Sequence, residues 1–223
     1  MSMPAPKADA KADGRTTLEL GPVLPMTAEV KDDHLFIGGV DMVKLAKEQG
    51  TALYVFDQAD LEHRMESYLN AMRVQHRNSD VLYASKAFLN KAVLQIVADK
   101  GLCLDVSGGG ELAIARAAGF PMERVFVHGN NKTEQELCEA LDAGVGRIVL
   151  DSRIELDRVN RLAGERGMVQ DVYMRITPGV EADTHEYIRT GCEDSKFGFT
   201  MLGDFAFKCV KDVLDAPNAV SYT

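Results

Sequence analysis

An amine attacks a carbonyl well when partial burial disfavours its ammonium form and frees the nitrogen lone pair. Lys86 has the setting for this. It lies in Tyr83-Ala84-Ser85-Lys86-Ala87-Phe88, where the short apolar run Val81-Leu82-Tyr83 passes straight into a helical pattern. In a parallel β/α structure that junction is the mouth where chemistry is kept. A partly buried lysine there is suited to forming a Schiff base. A lysine at a helix start is ordinarily just solvated, so the meaning of Lys86 depends on the residues at the neighbouring junctions.

Those junctions are polar. Asp105-Val106-Ser107-Gly108-Gly109-Gly110-Glu111 follows the next apolar run, and His128-Gly129-Asn130-Asn131-Lys132 follows the one after it. Gly108-x-Gly110-x-x-Ala113 fits a loose dinucleotide fingerprint, but the acidic residue expected about twenty positions on is missing. A tight strand-to-helix turn explains the glycines as well. Lys132-Thr133 lacks the preceding glycine of a P-loop. Arg175 stands inside the apolar run Tyr173-Met174-Arg175-Ile176, where a charge is costly unless paired. It is therefore expected to face an anion or a carboxylate such as Asp105. A dense polar stretch, Thr184 to Gly191 and then Asp194 to Phe199, is too long for a simple turn and reads as a functional loop.

These residues need a scaffold. Apolar runs at Val81–Tyr83, Leu102–Val106, Val125–Val127, Arg147–Leu150 and Val172–Ile176 recur about two dozen residues apart. Helical patterns fill the gaps, with apolar faces at Leu89, Val93, Ile96 and Val97, at Leu112, Ala115 and Ala118, at Leu137, Ala140 and Leu141, and at Leu156, Val159 and Leu162. Thr133-x-x-Glu136 and Ser152-x-x-Glu155 have capping-box spacing, and Gly101, Gly119, Gly144 and Gly167 mark helix ends. Strand, helix, glycine, strand is the parallel α/β unit. Periodicity leaves an open doubly wound sheet and a closed barrel both standing. Val220-Ser221-Tyr222 starts a sixth strand. Upstream, Met26–Val30 and His34–Ile37 are predicted to form a β-hairpin around Lys31-Asp32-Asp33. Asp41 is predicted to cap a helix over Met42–Glu48, Leu53–Phe56 to form another strand, and Asp57 to open a longer helix. Residues 1–17 read as a disordered lead-in, 18–56 as a β segment and 57–223 as an incomplete β/α barrel.

The composition narrows the partners. The chain has 223 residues, 46% of them hydrophobic, with 34 acidic against 25 basic side chains and a net charge of −9. This is globular composition without the basic stripe that nucleic acid requires. No apolar run reaches the ~20 residues of a membrane span. Cys103, Cys138, Cys192 and Cys209 show no metal spacing and read as reduced cytoplasmic thiols. The histidines form no HExxH pair, so no metal site is expected.

Taken together the motifs resemble the diaminopimelate decarboxylases, pyridoxal-phosphate enzymes of the alanine-racemase-like barrel class. The resemblance runs from Phe36 to Thr223. It includes Ile37-Gly38-Gly39-Val40, Gly50 to Val55, Tyr83 to Ala87, Asp105 to Leu112, His128 to Lys132, Arg175-Ile176-Thr177-Pro178-Gly179 and Thr184-His185 through Phe197-Gly198. Ala52 departs from the usual proline and Phe88 from a frequent asparagine. The resemblance implies a partial (β/α)8 TIM-type barrel of about five strands plus the start of a sixth. It implies pyridoxal 5'-phosphate held on Lys86 near Asp105, Glu111, His128 and Arg175, and the conversion of meso-2,6-diaminopimelate to L-lysine and CO2. It also implies a cytoplasmic homodimer of the complete protein whose remaining cofactor and dimer residues lie further along. On that basis the chain is expected to be truncated and inactive alone. The ornithine and arginine decarboxylases share the lysine, the glycine-rich turn and a Lys-Phe-Gly ending. A non-catalytic pyridoxal-phosphate carrier is a further alternative, as is a degenerate fragment that binds no cofactor.

Overall fold

The computed structural model describes residues 8–10, 15–18, 23–179, 197–201 and 203–220. The polar stretch 184–196 and residues 221–223 lie outside the described residues. The chain divides into two compact units, Met1–Asn78 and Ser79–Thr223.

The first unit is an antiparallel sheet with two helices. Strands β1 (Ala8–Ala10), β2 (Arg15–Leu18), β3 (Glu29–Lys31), β4 (His34–Ile37) and β5 (Val40–Asp41) pair in chain order. The first two thus fall in or next to the stretch read as a lead-in. Asp32 and Asp33 turn β3 into β4 with φ of 49° and 60°, the paired left-handed geometry that matches strand twist in a two-residue hairpin. Asp41 caps α1 (Met42–Gln49), accepting from the Val43 and Lys44 amides at 2.9 and 3.1 Å. Asp57 caps α2 (Gln58–Gln75) in the same way. Leu53–Phe56 differs from expectation. It joins no sheet among the described residues, and Tyr54 is 95% exposed. An apolar run becomes a strand only where a neighbouring edge takes its backbone hydrogen bonds.

The second unit is the regular one. β6 (Leu82–Ala84), α3 (Lys91–Asp99), β7 (Cys103–Val106), α4 (Gly109–Ala118), β8 (Val125–Val127), α5 (Glu134–Ala143), β9 (Arg147–Leu150), α6 (Arg153–Glu165) and β10 (Gln170–Met174) alternate as the apolar runs require. After β10 come β11 (Ile176–Thr177), β12 (Phe199–Thr200), α7 (Phe205–Asp215) and β13 (Ala219–Val220). Six strands form one sheet in the order β13-β10-β9-β8-β7-β6, and every neighbouring pair is parallel. Each strand is thus laid beside its predecessor without a reversal. A doubly wound sheet reverses its order at a switch point; a barrel does not. The order settles the fold as a partial β/α barrel and removes the dinucleotide reading.

Alternation along the strands sends one set of side chains toward the helices. Leu104, Val106, Val125, Ile148, Leu150 and Val172 are fully buried or nearly so. Across from them lie Val93, Leu94 and Val97 of α3, Leu112 and Ala115 of α4, Leu137, Ala140 and Leu141 of α5, and Leu156, Val159 and Leu162 of α6, all buried. Each of the larger side chains contributes about 1.5–3 kcal/mol through burial. The fifth strand is displaced from its apolar run, spanning Gln170–Met174 and not Val172–Ile176: past Arg175 the chain leaves β9, and β11 pairs in parallel with β12.

Two local contacts set the spacing of neighbouring β/α repeats within the second unit. The Gly146 amide donates to the Met122 carbonyl at 3.0 Å, and a Cβ at Gly146 would fall 2.0 Å from the Glu123 carbonyl oxygen. Gly146→Ala should therefore cost about 1–3 kcal/mol in urea denaturation; an unchanged midpoint would contradict this. Glu136 completes the capping box with Thr133 and also accepts from the Gly109 amide of the adjacent turn at 3.1 Å. The amides of Thr133 and then Gly109 hold its carboxyl below the ordinary 4.5. A depressed carboxyl stabilises the fold above its unfolded pKa and loses that contribution as pH falls through the folded value. Glu136→Gln should be less stable than the parent at neutral pH, with the gap closing below about pH 4.5. A gap that persists in acid would exclude the carboxylate as its source.

Candidate functional site

In a parallel sheet all strands end on the same side. Here five consecutive strands, about 4.8 Å apart, bring Lys86, Asp105, His128, Asp151 and Arg175 to one rim.

Lys86 sits in the 3-10 turn Ser85–Ala87 that follows β6. The Tyr83 hydroxyl closes this turn by donating to the Phe88 carbonyl at 2.7 Å. The partial burial expected of Lys86 is not observed: the residue is exposed. Among the described residues β6 is the outer strand of the sheet, flanked only by β7, so the turn is covered from one side. Ser85, next to Lys86, is the reverse case. It is 3% exposed, and its hydroxyl has no hydrogen-bond partner among the described residues.

The register Ala84↔Asp105 places Asp105 one strand from Lys86. Its carboxylate is hydrogen-bonded to His128 Nδ1. The His128 amide donates to the Val106 carbonyl at 2.7 Å and keeps the residue on the ladder. A carboxylate on one ring nitrogen fixes the orientation of the imidazole.

Arg175 does not pair with Asp105. Its guanidinium donates to Asp151 Oδ1 at 3.3 Å and lies 4.5 Å from the Phe197 ring centroid. The reason is strand order. Met174↔Leu150 makes β9 the neighbour of β10, so the residue after β10 meets the residue after β9. Asp105 is three strands away, about 14 Å. Asp151 also accepts from the Gly198 amide through Oδ2 at 3.2 Å. Gly198 has φ +75°, and a Cβ there would fall 2.4 Å from the Arg175 carbonyl oxygen. The Lys-Phe-Gly motif thus needs its glycine for conformation and for space.

Glu111 faces its own helix start. Its carboxylate accepts from the Ser107 amide at 2.5 Å and braces the turn into α4. Gly109 lies against Glu136 and Glu139, so the glycine run works as a close strand-to-helix turn.

Three residues not expected at the site from the sequence, Lys132, Asp151 and Glu155, form the buried base of this rim. Lys132 and Glu155 are 3% and 4% exposed and form an ion pair at 3.0 Å. Lys132 Nζ also donates to the carbonyls of Gly129 and Val149 at 2.6 and 2.8 Å. Glu155 does not complete a capping box with Ser152. It accepts from the Asp151 amide at 2.8 Å instead. Burial pushes the Lys132 ammonium below its usual range against the pull of Glu155. It pushes the Glu155 carboxyl up against the pull of Lys132. Among the described residues no cluster of His, Cys, Asp and Glu could hold a metal ion, and no helix is long and apolar enough to cross a membrane.

The family model "Pyridoxal-dependent decarboxylase, pyridoxal binding domain" matches residues 58–216. The diaminopimelate decarboxylase of Bacillus subtilis is 48% identical over 183 residues, which are 82% of this chain and 42% of the relative. That of Mycobacterium tuberculosis is 47% identical over 177 residues, 79% of this chain and 39% of the relative. The crystal structure of diaminopimelate decarboxylase from M. jannaschii in complex with L-lysine matches with a TM-score of 0.79 at 32% identity, covering 88% of this chain and 46% of that one. The chain thus spans about two fifths of the length of these curated relatives. With the rim lysine, the in-order parallel strands and the family match over most of its length, the chain belongs to the pyridoxal-dependent decarboxylases, within their pyridoxal binding domain.

Proposed function

We propose that this chain provides the lysine-bearing side of a pyridoxal-phosphate decarboxylation site acting on meso-2,6-diaminopimelate, with L-lysine and CO2 as products. The observation that carries the reading is the convergence of Lys86, Asp105, His128 and Arg175 on one rim in a chain 48% identical to a diaminopimelate decarboxylase. The reading includes a homodimeric assembly and a cytoplasmic setting. A lysine/ornithine decarboxylase from Vibrio vulnificus is only 16% identical and shares the fold alone, so diaminopimelate is preferred to ornithine as substrate.

The residues suit the cofactor. An exposed primary amine is available to its aldehyde, and the buried Ser85 hydroxyl beside it has unused hydrogen-bonding capacity. An imidazole and a guanidinium, each anchored by a carboxylate, stand on the following strand ends. When bound, pyridoxal phosphate supplies an electron-withdrawing ring that stabilises the charge left as CO2 departs.

The chain's own groups have separate tasks in this reading. Lys86 Nζ would hold the cofactor. Asp105 keeps His128 oriented through Nδ1. Arg175, braced by Asp151, offers a fixed cation to an anionic group. Glu111 keeps the glycine turn closed. In the overall reaction the bond between the substrate's carboxyl carbon and its α-carbon breaks, CO2 leaves and a proton takes its place.

CO2 release from carboxyl-labelled meso-diaminopimelate by the holoenzyme carrying this chain tests the reading. Lys86→Ala should reduce release by at least about a thousand-fold, and ornithine should give far less product than diaminopimelate. Release that survives Lys86→Ala, or that favours ornithine, would overturn it.

A further inference from the structure

Lys132, Glu155 and Asp151 have no direct part in the chemistry above, yet they connect everything that does. All three N–H bonds of Lys132 are committed: to Gly129, which follows His128; to Val149 of β9; and to Glu155 of α6. Glu155 Oε2 takes both the Lys132 ammonium and the Asp151 amide. Asp151 divides its carboxylate between Arg175 and Gly198. A continuous hydrogen-bonded path therefore runs from the residue beside His128 to Arg175.

We infer that Lys132 and Glu155 are positioning residues of the site, fixing Arg175 and Gly198 through Asp151 and His128 through Gly129. The inference rests on reading the rim as the pyridoxal-phosphate site. Energetics favour a positional role. A buried ion pair is commonly no more stabilising than well-packed apolar residues of the same volume, so this pair contributes little that leucine or methionine would not. An apolar pair could not turn the Gly129 carbonyl inward or hold the Asp151 amide. Fully satisfied buried networks select one arrangement of their members. Here the members are the loops that follow β8, β9 and β10.

The variants Lys132→Met and Glu155→Gln test this in the full chain. Amide hydrogen exchange is read at Gly198, with Leu104 in the sheet centre as the reference for global opening. Pyridoxal phosphate itself is then titrated into each protein. The inference expects Gly198 exchange to accelerate about tenfold while Leu104 is unchanged, and cofactor affinity to weaken by about the same factor. Gly198 exchange equal to the parent, or changing only in step with Leu104, would overturn it. If Lys132→Met does not fold, Glu155→Gln decides alone, since it preserves volume while removing the carboxylate that Lys132 and the Asp151 amide share. If the parent takes up no pyridoxal phosphate while Gly198 responds as expected, the network is upheld and the functional reading fails.

Discussion

A parallel strand cannot return to its neighbour by a tight turn, so each strand of the second unit is followed by a crossover before the next is laid down. The ends of β6, β7, β8, β9 and β10 consequently emerge side by side, each opening into a loop. Everything of chemical interest follows from that constraint. Polar residues that are far apart in the chain become lateral neighbours, and which pairs meet is fixed by which strands adjoin. Asp105 meets His128 because β7 adjoins β8, and Asp151 meets Arg175 because β9 adjoins β10.

The helical face and the rim have opposite requirements. The helical face is apolar and close-packed, and carries the stability of the unit. The rim must hold charges in place where that packing ends. It does so with a few polar contacts to backbone: Glu111 to Ser107, Glu136 to Gly109, Glu155 to Asp151 and Lys132 to two carbonyls. Every one ties a loop to an element that the core already fixes. The exposed Lys86 is thereby flanked by groups whose positions are set from beneath.

Much of this was legible in the sequence. Strands covered by helices read as continuous apolar runs, and glycine and capping residues mark the junctions, so the alternation and the placement of Lys86, Asp105 and His128 at strand ends followed from local patterns. Partner choice was not legible. Asp151 rather than Asp105 holds Arg175 because of strand order, which no local window contains. The capping arithmetic at Ser152 and Glu155 was right for the backbone and wrong for the carboxylate, which found a lysine from another loop. Leu53–Phe56 has strand composition but finds no ladder among the described residues. The burial of Lys86 was likewise a tertiary question, and its place on an outer strand answered it.

The central claim is that Lys86, out of all the lysines of this chain, is the residue that takes the cofactor. Borohydride reduction of the protein with pyridoxal phosphate, followed by proteolysis and mass spectrometry of the peptides, addresses it most directly. A phosphopyridoxyl group confined to the peptide containing Tyr83-Ala84-Ser85-Lys86 is the predicted result. No adduct there, or equal labelling of surface lysines such as Lys44 and Lys91, would contradict the account.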